Sequence, residues 1–252
     1  MKLRFPALMA GLLLGTSILL VSTGAVAAVT APSGPSGKGV CVTEATTVKA
    51  GASVEDLRAF GDCEINRRFT TLTALGARVS GSKVLTSSDA AALTAEIGST
   101  TSGLTSLKAT IDAETSIPAL KVDIAKIAAD YRVYLLVVPQ VNLVSGADTV
   151  LAAQTKFATI NTNLTARIAA AKAKGKDVTA AQADLNAMNT SVTAAVGLAT
   201  PLPAALLPLT PAQYNGGTAG PILTAARTAL GTARDDLKSA VASAKACRDA
   251  LK

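Results

Sequence analysis

Histidine and tryptophan are absent from this chain of 252 residues, which has only three tyrosines, four phenylalanines and three cysteines. Without histidine, catalytic triads that use an imidazole base and metal sites that use an imidazole ligand are excluded. Cys41, Cys63 and Cys247 are far apart and lack the paired spacing of a zinc site. No Walker loop and no dinucleotide-binding glycine fingerprint occurs. These absences leave no catalytic residue, metal ligand set or cofactor motif to nominate. Acidic pairs do occur, as Glu55-Asp56, Asp62 with Glu64, Asp112 with Glu114, and Asp235-Asp236. Each falls near a predicted helix end or on a polar face, where capping and solubility account for it better than glycosidase chemistry.

Charge of one sign is also scarce. Lys and Arg number 24 against 17 Asp and Glu, a net +7; without Lys2 and Arg4 the balance is 22 against 17, or +5. The basic residues alternate with acids and alanines rather than forming a stripe, which argues against a nucleic-acid partner. Such an excess allows only weak attraction to anionic membrane or polymer.

What is present is a chain 49% hydrophobic but 3% aromatic, its bulk supplied by small side chains suited to helices in close contact. Lys2 and Arg4, the apolar run from Ala7 to Val21, and Ala25-Val26-Ala27 read as a secretory signal over residues 1–27. Residues 28–52, rich in Ser, Gly, Pro and Thr, read as a flexible tail. From residue 53 onward, apolar residues recur every three or four positions. The caps and breaks that divide this pattern are Ser53, Thr86 with Asp89, Thr115-Ser116, Pro139, Gly175 and Thr179 with Gln182. The expectation is an all-α fold over 53–252, a mostly antiparallel bundle of five or six long helices with coiled-coil-like seams. A proline-rich connection over 200–218 lies on its surface.

The stretch Asp130 to Gln140 organises this reading. Ile117, Leu120, Ile124, Ile127, Tyr131, Tyr134 and Val138 trace one helical seam, and Pro139 then removes a backbone donor. A sharp break with chain reversal is preferred over a kinked continuous helix.

The runs Gly61-Asp-Cys-Glu-Ile-Asn-Arg-Arg-Phe69, Asp130 to Gln140 and Leu209-Thr-Pro-Ala-Gln-Tyr214 resemble a group of uncharacterised secreted, alanine-rich helical-bundle proteins of bacteria. The resemblance covers most of the chain after the signal. It implies a helical bundle in the cell envelope or outside the cell, and no activity.

Two internal features are expected. Arg68 projects onto the apolar face of the first helix, so it needs a carboxylate. Glu64, one turn earlier, and Asp130, at a similar depth on a parallel helix, are candidates. With Tyr131 they form a structural polar cluster, while Arg67 projects outward. Of the cysteine pairs, Cys63–Cys247 is preferred, because in a six-helix up-and-down bundle the last helix ends beside the start of the first; Cys41–Cys63 is the fallback. The function expected is that of a non-catalytic structural or interaction protein, secreted or associated with the cell envelope, with an unknown envelope component as partner. The alternative is a carrier of lipid or of a small apolar ligand, or a membrane-surface binder.

Overall fold

A computed structural model describes Cys41 and residues 51–252. The expected signal segment lies outside the described residues, as does the tail apart from Cys41, Gly51 and Ala52. The first helix, α1 (Val54–Gly81), opens on a reciprocal cap. The Ser53 hydroxyl accepts from the Asp56 amide and the Asp56 carboxylate accepts from the Ser53 amide, satisfying two amides that a helix start leaves free. α2 (Ser87–Ala113) starts at Thr86, whose hydroxyl accepts from the Asp89 amide. The second half of that box is not local: the Thr86 amide donates to Asp148 Oδ2 at 2.8 Å. α3 (Ile117–Ala129) follows, with Glu114 Oε1 accepting the Thr115 and Ser116 amides in place of a side-chain cap.

Pro139 neither reverses the chain nor opens a separate rod. α3 ends at Asp130, Arg132 takes a left-handed conformation at φ 44°, and Val133–Val137 form one π turn in which the Val138 amide bonds to the Val133 carbonyl. α4 (Val138–Ala173) then continues for 36 residues, with Pro139 in its first turn, about 54 Å at 1.5 Å per residue. A proline inside an α-helix loses one bond and clashes with the carbonyl four residues back; the wider π turn takes up both. The seam slips in consequence. Tyr131, Tyr134 and Val138 are only partly buried, while Val133, Leu136, Val137 and Val141 take the core positions.

The direction of α3–α4 follows from its contacts. Along α1, Arg58 reaches the Glu114 carbonyl, Gly61 faces Ile124, Arg68 covers Tyr134, and Arg78 reaches Asn142. The two therefore run parallel, with α2 antiparallel between them, pinned by Lys108–Asp62. Beyond Asp148 the same rod enters a second group of helices. α5 (Thr179–Ala199) turns back along α4, with Asn189 bonded to Asn161. α8 (Ala219–Asp249) runs parallel to α4, from Gly146 against Leu230 to Lys176 bonded to the Lys252 carbonyl. Between α5 and α8 lie two short helices, α6 (Leu202–Leu206) and α7 (Pro211–Asn215). Leu202, Leu206 and Leu209 pack into the core, and Gln140 donates to the Leu206 and Leu209 carbonyls.

The all-α bundle is thus two three-helix groups sharing one rod. One core runs from Leu57 to Val150 and is closed by Ala195 to Ala233. A smaller one is built on Phe157, Leu164, Ile168, Leu185, Met188 and Cys247. Ile117–Ala173 is long and apolar enough to cross a membrane by length and composition, and 56% of its most apolar window is buried. Its buried positions serve the two cores in turn along its length.

Two expectations are corrected. The three- and four-residue spacing of the last helix predicts Leu223, Ala226, Leu230, Leu237, Val241 and Ala244 inward, but Val241 is 59% exposed, and Ala233, Ala240 and Cys247 take the inward positions. The disulfide is Cys41–Cys63, not Cys63–Cys247, and Cys247 is a buried free thiol. The continuous rod carries α8 onward, so Cys247 lies beside the far end of α4, roughly 60 Å along it from the level of Cys63; a disulfide needs Cα atoms within about 7 Å. Cys41 and Cys63 are 22 residues apart in sequence, with Cα atoms 5.9 Å apart. Closing a loop of that length stabilises by about 3 kcal/mol in the chain-entropy model. Replacing both cysteines with serine is expected to lower the unfolding free energy by about that amount and leave Cys247 unreacted until unfolding, as read by denaturant melts with thiol labelling.

Candidate functional site

The polar groups inside the bundle gather at the level where the rod breaks. Glu64 Oε2 accepts from Arg67 Nη2 and from Arg68 Nη1, each at 2.6 Å, and Arg68 also donates to the Glu64 carbonyl at 2.8 Å. Both guanidinium groups lie over the Tyr134 ring, at 5.0 and 5.2 Å from its centroid, within range of a cation–π attraction. Sequence spacing does put Glu64 and Arg68 together. It misplaces the other two members of the cluster. Asp130 is the exposed C-cap of α3, where its amide bonds to the Lys126 carbonyl, and no ion pair joins it to Arg68. Tyr131 lies instead against α2, where a Cβ at Gly103 would meet its ring at 2.5 Å; burial, then Asp130, pushes its hydroxyl above the usual phenol range. The two residues missed are Arg67, with its side chain 14% exposed, and Tyr134. The signal for Tyr134 was present, since it lies on the same predicted face as Tyr131, but the extra π residue decides which tyrosine reaches α1.

On the other side of the break a second cluster forms. Arg132 Nε donates to Asn215 Oδ1 at 2.6 Å, its guanidinium lies 5.4 Å from the Tyr214 ring centroid, and Asn215 donates to the Ala129 carbonyl. These contacts hold a non-glycine residue in a left-handed conformation that costs about 1–2 kcal/mol. Beside them is a cavity of about 310 Å³. Tyr134, Leu135 and Pro139 line it from the rod, Tyr214 from α7, and Gly220, Leu223, Thr224 and Arg227 from α8. Nothing in the sequence marks it, because its walls come from segments about 80 residues apart.

A third buried group, Asp148, lies deeper along the rod. Burial pushes its carboxyl above the usual range and Asp89 adds to this, while the Thr86 amide opposes it. Its second oxygen has no hydrogen-bond partner among the described residues. The described residues contain no group of three or more His, Cys, Asp or Glu that could hold a metal ion.

No protein-family model matches the chain, and no curated protein or solved structure matches it either. The resemblance to secreted alanine-rich helical proteins is carried by the quoted residues alone.

Removing one partner of a buried ion pair costs on the order of 3 kcal/mol. Arg68→Ala is expected to lose about that much. Arg67→Ala should lose an amount of the same order rather than a negligible one, because it shares the carboxylate and the ring. Tyr134→Phe is expected to stay within about 0.5 kcal/mol of the parent, since the hydroxyl is buried without a hydrogen-bond partner. Urea melts of the three variants check this. For Asp148 the sign is the reverse of an ordinary paired carboxylate. The native state holds its proton more tightly than the unfolded chain, so stability falls as pH rises from the ordinary carboxylate range through the raised native value. Asp148→Asn is expected to melt higher than the parent at neutral pH, with the two converging in acid.

Proposed function

We propose that this chain is a non-catalytic structural or interaction protein, secreted or associated with the cell envelope, that presents a stiff helical body to an envelope component. The observation that carries the reading is the use made of its internal charges. Glu64 is held between two arginines, Asp123 on Lys126, and Asp148 on the Thr86 amide that starts α2. Glu64 and Asp123 are paired within their own helices and Asp148 joins the rod to α2, so each carboxylate has a structural partner rather than a place beside a nucleophile. The extracytoplasmic location is supported by the Cys41–Cys63 disulfide, a bond that persists in oxidising compartments. The mild basic excess suits weak, salt-sensitive attraction to anionic polymer or membrane.

Fractionation of cells making the chain tests the location. The expected product is found outside the cytoplasmic membrane, starts at Ala28 and carries the disulfide; a cytosolic product with three free thiols would sink the reading. Reproducible turnover of cell-wall fragments or lipids by the pure protein, lost in Glu64→Gln, would overturn the non-catalytic part.

A further inference from the structure

We propose that the cavity beside the rod's break is a binding site for a small amphipathic anion, an aromatic or branched aliphatic carboxylate or sulfonate. Its volume of about 310 Å³ is at the low end of the roughly 300–1,000 Å³ typical of small-molecule pockets, which fits a compact ligand rather than a peptide or a whole lipid. Its walls are apolar and polar in about equal parts. Leu135 and Pro139 come from the rod, Leu223 from α8, and the rings of Tyr134 and Tyr214 close two sides. Leu135 is 47% exposed although its neighbours Leu136 and Val137 are in the core, so the π turn turns a leucine outward at the mouth.

The electrostatics choose the sign of the ligand. Arg227 is the one charged residue lining the cavity, and it makes no ion pair or hydrogen bond among the described residues. The neighbouring cation, Arg132, is already tied to Asn215 and Tyr214, and it adds positive potential without competing for the ligand. Gly220 is in the first turn of α8, the positive end of a 31-residue helix. That helix has no side-chain cap, because the Thr218 hydroxyl donates to the Gln213 carbonyl. The tyrosine faces alone would suit a cation, but an arginine and a helix start at the same cavity repel one. The site also coincides with the two irregularities of the rod, the left-handed Arg132 and the π turn, and such departures gather where a chain is shaped for binding.

The probe for the test is anilinonaphthalene sulfonate, with its uncharged parent, phenylnaphthylamine, as control, each titrated by fluorescence into the folded full chain. The sulfonate is expected to bind saturably, one-to-one. Thr224 lines the cavity from an exposed position on α8, so Thr224→Phe adds bulk there away from the core and should weaken both probes by at least about tenfold. Arg227→Gln should weaken the sulfonate by about tenfold, the scale of one charge-assisted contact, and leave the uncharged probe unchanged. Thermal melts of both variants confirm the native fold. Non-saturating fluorescence, or sulfonate binding unchanged in Thr224→Phe, would overturn the site. Equal weakening of both probes by Arg227→Gln, or of neither, would overturn its preference for anions.

Discussion

A proline inside a helix must cost one backbone hydrogen bond, and the fold depends on where that cost falls. At Pro139 it falls within the helix itself. The π turn from Val133 to Val137 widens the backbone just ahead of the ring, and the left-handed Arg132 resets the direction of α3. The chain therefore continues instead of folding back. One rod from Ile117 to Ala173 can then serve two cores in succession, and every later helix is displaced along it. Asn215 and Tyr214, on the far side of the molecule in sequence, hold Arg132 in place, so the break is secured by tertiary contacts rather than local propensity.

This is also why the sequence could be read only in part. The helices, most of their ends and most of their buried faces follow from three- and four-residue spacing, because small apolar side chains on α1, α2 and α5 leave no competing pattern. Ser53 caps as expected, and on α2 the seam position between Ile97 and Leu104, open to Thr100 or Thr101 by spacing, is taken by Thr100. Thr179 does not cap: it is the first residue of its helix, and Asp177 accepts its amide. Both residues are good caps, and local sequence does not choose between them. The treatment of Pro139 was not legible, since break and bulge share the same residues. The disulfide error follows from it. Cys63 and Cys247 become neighbours only if the rod reverses, and since it does not, Cys41 is the cysteine bonded to Cys63. The fate of Asp130 and Tyr131 follows as well, because an added residue ahead of Tyr134 rotates that ring, not Tyr131, toward α1.

Small residues permit the close approaches that the polar groups then fix in register. Gly103 lets the Tyr131 ring lie on the α2 backbone, and Gly61 admits Ile111 and Ile124. Packing of small side chains specifies position weakly, since alanine against alanine slides at little cost. Arg67 and Arg68 over the Tyr134 ring, Asp148 on the Thr86 amide and Gln140 on the Leu206 and Leu209 carbonyls each tie one helix to one level of another. Their value is in choosing the register more than in adding net stability.

Both cores are completed by α8, the last helix in the chain, and that gives assembly an order. In the smaller core α4 and α5 are near neighbours, with Asn161 and Asn189 lying 28 residues apart, but Ala240 and Cys247 of α8 complete it. The larger one is closed by the return of Ala195 to Ala233 onto the rod, with Gln140 and Leu206 separated by 66 positions. Loop closure costs more, and takes longer, as that separation grows. A chain emerging from its amino end would therefore hold α1 to α4 as an unsealed trough, with Gln140 and Gly146 uncovered, until the last third has been made and laid across them.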